Sequence, residues 1–528
     1  MTNIKFHHQI ETELLIVGAG IAGLACCVEA KAKGLNPILI SKSIIGGGAS
    51  FFPLKATLGI QITGDSDDKI LFQQEIERVA CGVNNPKIVR AYVEESPQAI
   101  ELLSKIGFTP WLRQDNRPAC FAYYTRPIYL INNWKQSAKR AKQILIQHQI
   151  EFYENSVLLH IVTEQNQIKG AIFAQQKGGE IRYIFCYTNN IILATGGIAG
   201  LYQDNLYPAD IIGSTHYVAY QAGAKLTNLE FIQFIPAFVK PKYKVLFGEH
   251  TLKYLIKVTD SKGKNLFSHL SPQQFQQMIQ QRSSYAPFSV DFQSVEFDLV
   301  IMKHLIENPT EKGVYLHYSP ELYHDKTEFY QVYLTWLEKE MDIHLLRDQV
   351  IIRPFAHSCN GGIEINEYAQ TAVQGLFAVG EVSACIEGAN RLGGNSVGGS
   401  LVFAKRAIQK VVENVPHFST QNKEHYVLKG IRYLQHLANQ EKKSAHSSSE
   451  ILRQVRSLMN QFANVYRTEK NLQCLITQLQ HLEKNCPIDL KKIHSIEIYH
   501  AIKTAQLVVH AMINRKQSLG SHQISLKE

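Results

Sequence analysis

The sequence predicts an α/β chain: a parallel sheet assembled from separated segments, an insertion that mixes helices and strands, and a helical C-terminal portion. Three observations predict it. Residues 13–42, ELLIVGAGIAGLACCVEAKAKGLNPILISK, read as a strand, a helix and a second strand. Two later runs, NNIILATGG (189–197) and VQGLFAVGEV (373–382), are apolar, of strand length, and end in glycine turns. After position 415 the pattern changes to long helices with mixed polar and apolar faces.

In the first segment Leu14 to Val17 form a short β-like run, Gly18, Gly20 and Gly23 give GxGxxG, and Ala22 to Lys33 continue as an amphipathic helix. Gly34 and Asn36 then lead into the second run, PILIS. A GxGxxG that follows a strand and opens a helix is a dinucleotide-binding fingerprint, so the core is Rossmann-like. Gly18 makes the turn, Gly20 lets a pyrophosphate approach the backbone, and Gly23 lets helix and strand pack closely. Where a nicotinamide site would carry an acidic ribose ligand the chain has Ser41 and Lys42, which argues against an ordinary NAD dehydrogenase. The cofactor-binding set predicted here is Gly18, Gly20, Gly23, Ser41 and Lys42, with Ala194, Thr195 and Gly196 from the third strand's turn. Because the strands lie far apart in the chain, the domain is discontinuous and encloses an inserted domain.

Composition narrows the partners. With 528 residues and a formal charge of +9, the chain is long enough for several domains and mildly basic. Its lysines and arginines are dispersed, which fits a small anionic ligand better than nucleic acid. Nine cysteines without a CxxC pair read as reduced thiols in a cytoplasmic protein, with no disulfide framework and no metal site. No apolar run has the length of a transmembrane segment, and the apolar stretch near the N-terminus follows Glu11 and Glu13 without a basic leader.

Between 60 and 160, SDDKILFQQEIERVA and NPKIVRAYVEESPQAIELLSKIG carry apolar residues at helical spacing and predict core helices. A basic helix within TRPIYLINNWKQSAKRAKQILIQ has a solvated face, and 150–188 is β-like. The glutamine-rich SPQQFQQMIQQRSSYAPF keeps a helical period, and NQEKKSAHSSSE (439–450) predicts a loop.

The stretch EGANRLGGNSVGGSLVFAKRA (387–407) sets Arg391 among glycines before an apolar helix. Such a turn brings helix N–H groups to an anion, and the arginine fork adds a bidentate carboxylate site. A tight turn with a surface arginine is the alternative at this level.

IVGAGIAGL, ILATGG, AGAKLTNLEFIQF, AHSCNGGIEI, GLFAVGEV and GANRLGGNS stand in the order and spacing of one flavoprotein family. The chain resembles the family that contains L-aspartate oxidase and the flavoprotein subunits of succinate dehydrogenase and fumarate reductase. VYRTEKNLQ and INRKQSLGSH are similar to the C-terminal helical domain of the L-aspartate oxidase branch. The resemblance implies an FAD-binding domain in two parts (1–235 and 351–415), an α+β capping domain (236–350) and a helical domain (416–528). It implies hydride transfer between flavin N5 and a small carboxylate, with oxygen, a quinone or a protein as electron partner. It places His357 and Arg391 on the substrate carboxylate as the catalytic pair, Glu381 on the ribityl or ribose side of FAD, and Asn395 and Ser396 at the isoalloxazine edge. Some relatives attach FAD through a histidine after the second strand; SIIGGGASFFPLKATLG contains none, so FAD is expected to be non-covalent.

The chain also departs from the family. Ile235 and Ala237 in FIPA replace a polar pair, LKYL (252–255) replaces RGEG, Phe288 stands where a proton-carrying arginine is expected, Pro127 replaces a glutamate, and Ser214 an aspartate. These changes predict a more apolar pocket for a substrate with one carboxylate. Arg282, Tyr285, Lys253 and Arg126 are the candidate replacements for the proton carrier. The expected activity is oxidoreduction at a C–C or C–N bond next to a carboxylate. The alternative is a non-catalytic or partner-dependent flavoprotein serving electron transfer or assembly.

Overall fold

A computed structural model of the chain describes residues 5–284, 287–413, 422–440 and 446–525. Tyr285 and residues 441–445 of the expected loop lie outside the described residues. Five short strands form the central parallel sheet: β1 (Leu14–Val17), β2 (Pro37–Ile40), β3 (Glu151–Tyr153), β4 (Ile191–Leu193) and β5 (Leu376–Ala378). Their order is β5-β4-β1-β2-β3, with Ile16 beside both Ile192 and Leu39. Every residue of β1, β2, β4 and β5 is buried, as in a parallel sheet covered on both faces. Helix Ile21–Ala32 packs on this sheet and against helix Asn395–Glu413, which explains why nine of its residues are buried.

The β-like region after 150 forms β3 and the strands Ser156–Glu164, Gln167–Lys177 and Glu180–Tyr187. The last three make a second sheet, closed by His8–Glu11 running parallel to Glu180–Tyr187. This first strand carried no alternating apolar signal: HQIE is mostly exposed. The core helices from 60 onward form as Asp68–Ala80 and Pro86–Lys105, the latter started by the Asn85 side chain accepting from Lys87 N–H.

The inserted region is built on a sheet ordered Ile232–Lys240, Val350–Cys359, Val314–Tyr318, Leu255–Thr259, flanked by helices such as Pro272–Arg282. Ser271 and Gln274 form a capping box at the start of that helix. The edges expected at 235/236 and 350/351 fall within its two long strands, which run continuously from the nucleotide-binding part into the insertion.

The C-terminal portion contains helices Lys423–Asn439, Ser448–Phe462, Glu469–Asn485 and Ile493–Asn514. INRKQSLGSH is helical only through Asn514; beyond it the chain turns back. Ser521 N–H donates to the Ala389 carbonyl at 2.9 Å and Val290 N–H to the Gly520 carbonyl at 2.8 Å, so this end braces the turn that carries Arg391. No helix of the described residues is long and apolar enough to cross a membrane.

Candidate active site

The carboxyl ends of β1, β2, β4 and β5 open on one crevice. Backbone bonds carry the sheet one residue past the strands: Gly18 N–H donates to Ile40, Ala194 to Val17 and Val379 to Leu193 at 2.7–2.9 Å. Gly18, Gly20, Ser41, Lys42, Ala194, Thr195, Gly196, Glu381 and Ser396 all line the crevice. Open α/β sheets bind ligands at this edge.

The three fingerprint glycines differ physically. Gly18 has φ +109°, and a Cβ there would lie 2.3 Å from the Ala194 carbonyl oxygen. A Cβ on Gly23 would lie 1.8 Å from the Gly18 oxygen, so this glycine serves helix packing behind the crevice. A Cβ on Gly20 would meet only the Gly48 Cα at 3.7 Å, which leaves space in front of the helix N-terminus. Gly20 caps that helix with no side-chain hydrogen bond, so its first N–H groups stay available for a phosphate. The Thr195 hydroxyl, buried and without a partner, supplies another polar group at the crevice. These residues fit a dinucleotide.

At the end of β2 the Lys42 ammonium is committed. It pairs with Glu497 at 2.6 Å and donates to the Asp210 carbonyl at 2.6 Å. Burial pushes the Glu497 carboxyl up, yet Lys42 and His494 together hold it below its usual range. The acidic group missing from the end of β2 is thus provided by helix Ile493–Asn514, and Glu497 lines the crevice. Sequence reasoning missed it because nothing near 497 marks a cofactor site.

The glycine turn before helix Asn395–Glu413 is explained by packing. A Cβ on Gly394 would lie 2.8 Å from Gln61 N and one on Gly393 3.1 Å from Cys120 N. Gly393 N–H donates to Cys120 and the Gly394 carbonyl accepts from Gln61, so these backbone groups are used internally rather than offered to an anion. Asn395, expected at the isoalloxazine edge, is 1% exposed and its Oδ1 faces Gln61 Nε2 at 3.3 Å. Ser396 faces the crevice instead.

Arg391 projects from this turn to His357. Its Nη2 lies 3.3 Å from His357 Nε2, its Nη1 bonds the Ser396 hydroxyl, and its Nε is buried without a partner. His357 occupies a β-bulge: Gln233 pairs with Ser358 and Phe234 with Ala356, leaving His357 as the extra residue. A bulge re-aims a side chain out of the ladder. Burial, Lys55 and Arg391 hold the imidazole well below its usual value, so it is neutral at pH 7. Arginine can only donate, so Nε2 accepts and the ring proton sits on Nδ1, which has no partner among the described residues. The pair therefore presents an unpartnered guanidinium N–H and an unpartnered imidazole N–H, the donors a carboxylate takes.

Glu381 accepts from the Tyr207 hydroxyl and from Cys359 N–H at 3.0 Å, and burial pushes its carboxyl up. Lys55, which sequence reasoning passed over, is 5% exposed and acts electrostatically on His357.

The proposed replacements for the proton carrier are otherwise engaged. Arg126 grips Asp68 at 2.9 Å and Glu75 at 2.6 Å beneath Phe72. Arg282, 0% exposed, clamps Asp298 at 2.7 and 3.1 Å. Lys253 lies between Asp325, at 3.3 Å, and the rings of Tyr254 and Tyr330. Ile235 and Phe288 are buried in apolar clusters, the first with Leu206 and Phe355, the second with Phe234 and Met302.

A crevice at the strand ends with a phosphate-ready helix and no acidic residue on β2 defines a dinucleotide-binding flavoprotein architecture. Residues 13–397 match the FAD binding domain family, and the chain belongs to it. It is 26% identical to an uncharacterised FAD-dependent oxidoreductase of Methanocaldococcus jannaschii, over 97% of this chain and 93% of that protein. It is 25% identical to the L-aspartate oxidase of Bacillus subtilis, over 96% and 90%. Among solved structures, an E. coli quinol fumarate reductase chain superposes with a TM-score of 0.77 at 20% identity, covering 98% of this chain and 92% of that one. The chain is an FAD-dependent oxidoreductase of the fumarate reductase and L-aspartate oxidase family.

Proposed function

We propose that the chain holds FAD non-covalently and exchanges a hydride with a small carboxylate at a carbon next to the carboxyl group, through a proton-transfer site that has diverged from its relatives. The observation that carries this reading is the contact of the buried His357 and Arg391, which retain donors without partners among the described residues and are joined through Ser396 to a crevice suited to FAD. When bound, FAD supplies the two-electron acceptor or donor. Gly18, Gly20 and the helix N-terminus hold its pyrophosphate; Ser41, Thr195, Gly196 and Glu381 line its length. Arg391 and His357 orient the carboxylate, and Ile235 and Phe288 keep the surroundings apolar. The lack of a histidine in SIIGGGASFFPLKATLG supports non-covalent attachment. The division into FAD-binding, capping and helical parts, a cytoplasmic location, and oxygen, a quinone or a protein as electron partner belong to the same reading.

A second reading, a partner-dependent flavoprotein without its own substrate, is favoured by the engagement of Arg126, Arg282 and Lys253 in structural pairs. Anaerobic mixing of the FAD-loaded protein with amino acids and with saturated and unsaturated mono- and dicarboxylates separates the two. Bleaching by one acid, or reoxidation of reduced flavin by one enoate, is the expected result. Flavin that responds to none of them sinks the first reading.

A further inference from the structure

Among the described residues four cationic side chains are buried: Lys55, Arg126, Arg282 and Arg467. Arg126 and Arg282 are paired with carboxylates, and Arg467 donates from Nε and Nη1 to the Asn464 and Glu230 carbonyls and contacts His522, while its Nη2 has no partner among the described residues. The Lys55 ammonium has neither a hydrogen bond nor an ion pair among the described residues.

Its backbone is held on both sides. The Lys55 carbonyl accepts from Trp134 Nε1 at 2.9 Å, and the preceding Leu54 carbonyl accepts from Leu246 N–H of the inserted region at 3.1 Å. Leu54 and Ala56 pack into the core of that region. The Lys55 backbone is thereby held at the junction between the two parts, where Glu381, Arg391, Lys244 and His357 are close enough to interact electrostatically with its ammonium. Glu381 is already engaged by Tyr207 and Cys359 N–H, Lys244 donates to Asn205 Oδ1 at 3.0 Å, and His357 is neutral. A lysine this far buried, with no carboxylate in direct contact among the described residues, leaves its ammonium ready to pair with an incoming anion.

We infer that Lys55 is a further substrate-binding residue, its ammonium pairing with the carboxylate that Arg391 and His357 orient; this rests on the reading of the site given above. Burial, with Arg391 and Lys244 adding to it against the pull of Glu381, lowers the Lys55 ammonium to about 8. It is charged at neutral pH and neutral above that value. An arriving carboxylate favours the charged form, so binding near pH 8 takes up a proton.

Calorimetric titration of the FAD-loaded full chain with fumarate, L-aspartate and benzoate, from pH 7 to 9.5 in buffers of different ionisation enthalpy, tests this. At least one probe should bind, with affinity falling towards tenfold per unit above pH 8 and with buffer-dependent heat. Lys55→Met should weaken that probe at least 30-fold and remove the proton uptake while FAD content stays the same. Lys55→Arg should restore binding without the step near pH 8. Unchanged affinity and pH profile in Lys55→Met overturns the assignment and leaves the carboxylate reading standing. A wild type that holds FAD and binds none of the probes overturns both. If Lys55→Met does not fold, the wild-type step and its loss in Lys55→Arg decide, and a step that persists in Lys55→Arg overturns the assignment.

Discussion

Nη2 of Arg391 lies 3.3 Å from Nε2 of His357, joining a glycine turn to a bulged strand 34 residues earlier. The contact sets the imidazole tautomer and leaves the guanidinium with further N–H donors, among them an Nε without a partner among the described residues, the basis for proposing the two side chains as one carboxylate clamp.

Removing one half of that clamp should affect substrate and spare cofactor. Arg391→Ala is expected to retain FAD with an unaltered absorption spectrum. Its kcat/KM should fall roughly 10–100-fold, the loss expected for hydrogen bonds to a charged group. Steady-state kinetics on protein of matched flavin content measures it, and unchanged turnover would remove Arg391 from the substrate site.

Two glycines of the same fingerprint should fail in different ways. Gly23→Ala drives a methyl to 1.8 Å from the Gly18 oxygen and should yield little folded protein. Gly20→Ala meets only Gly48 Cα at 3.7 Å and should fold, but its methyl occupies the approach to the helix N-terminus. Flavin content per folded chain, read by absorbance after gel filtration, should drop for Gly20→Ala while the apo-protein's melting temperature changes little.

The Lys42–Glu497 pair ties the C-terminal helix to the crevice at 2.6 Å. Glu497→Gln leaves the lysine without its counterion and should cost about 1–3 kcal/mol of stability. FAD dissociation, followed by fluorescence recovery on dilution, should quicken in the same variant. A normal dissociation rate would show that Glu497 serves only helix docking.

Buried histidines, His216, His500 and His522 among them, make the fold acid-sensitive. Burial pushes His216 down to about 4, and His500 and His522 to about 3, against about 6.5 in an unfolded chain. Below pH 6.5 the unfolded chain takes up protons that the folded chain refuses, so the stability present above 6.5 is lost as pH falls. Each contributes about 1.4 kcal/mol per pH unit in that window. Urea midpoints should be nearly flat from pH 7 to 8 and fall from 6.5 to 5; replacing His500 by Gln should flatten the acid limb.

The sequence by itself determined the strand–helix–strand unit from Leu14 to Ile40, the two later sheet strands, and the tight turn and close packing at Gly18 and Gly23. These are local properties: apolar periodicity and backbone conformation are written in neighbouring residues. The family motifs also singled out His357 and Arg391, which the fold brings within 3.3 Å of each other. Only the tertiary structure decided which charges are free. Arg126 and Arg282 looked available until Glu75 and Asp298 were brought against them, Asn395 turned out to serve Gln61, and Glu497 arrived at β2 from the last helix. Lys55 became notable only once its burial, without a direct ion pair among the described residues, was visible. Pairing and desolvation are set by side chains from 16 to several hundred positions apart, and no local pattern records them.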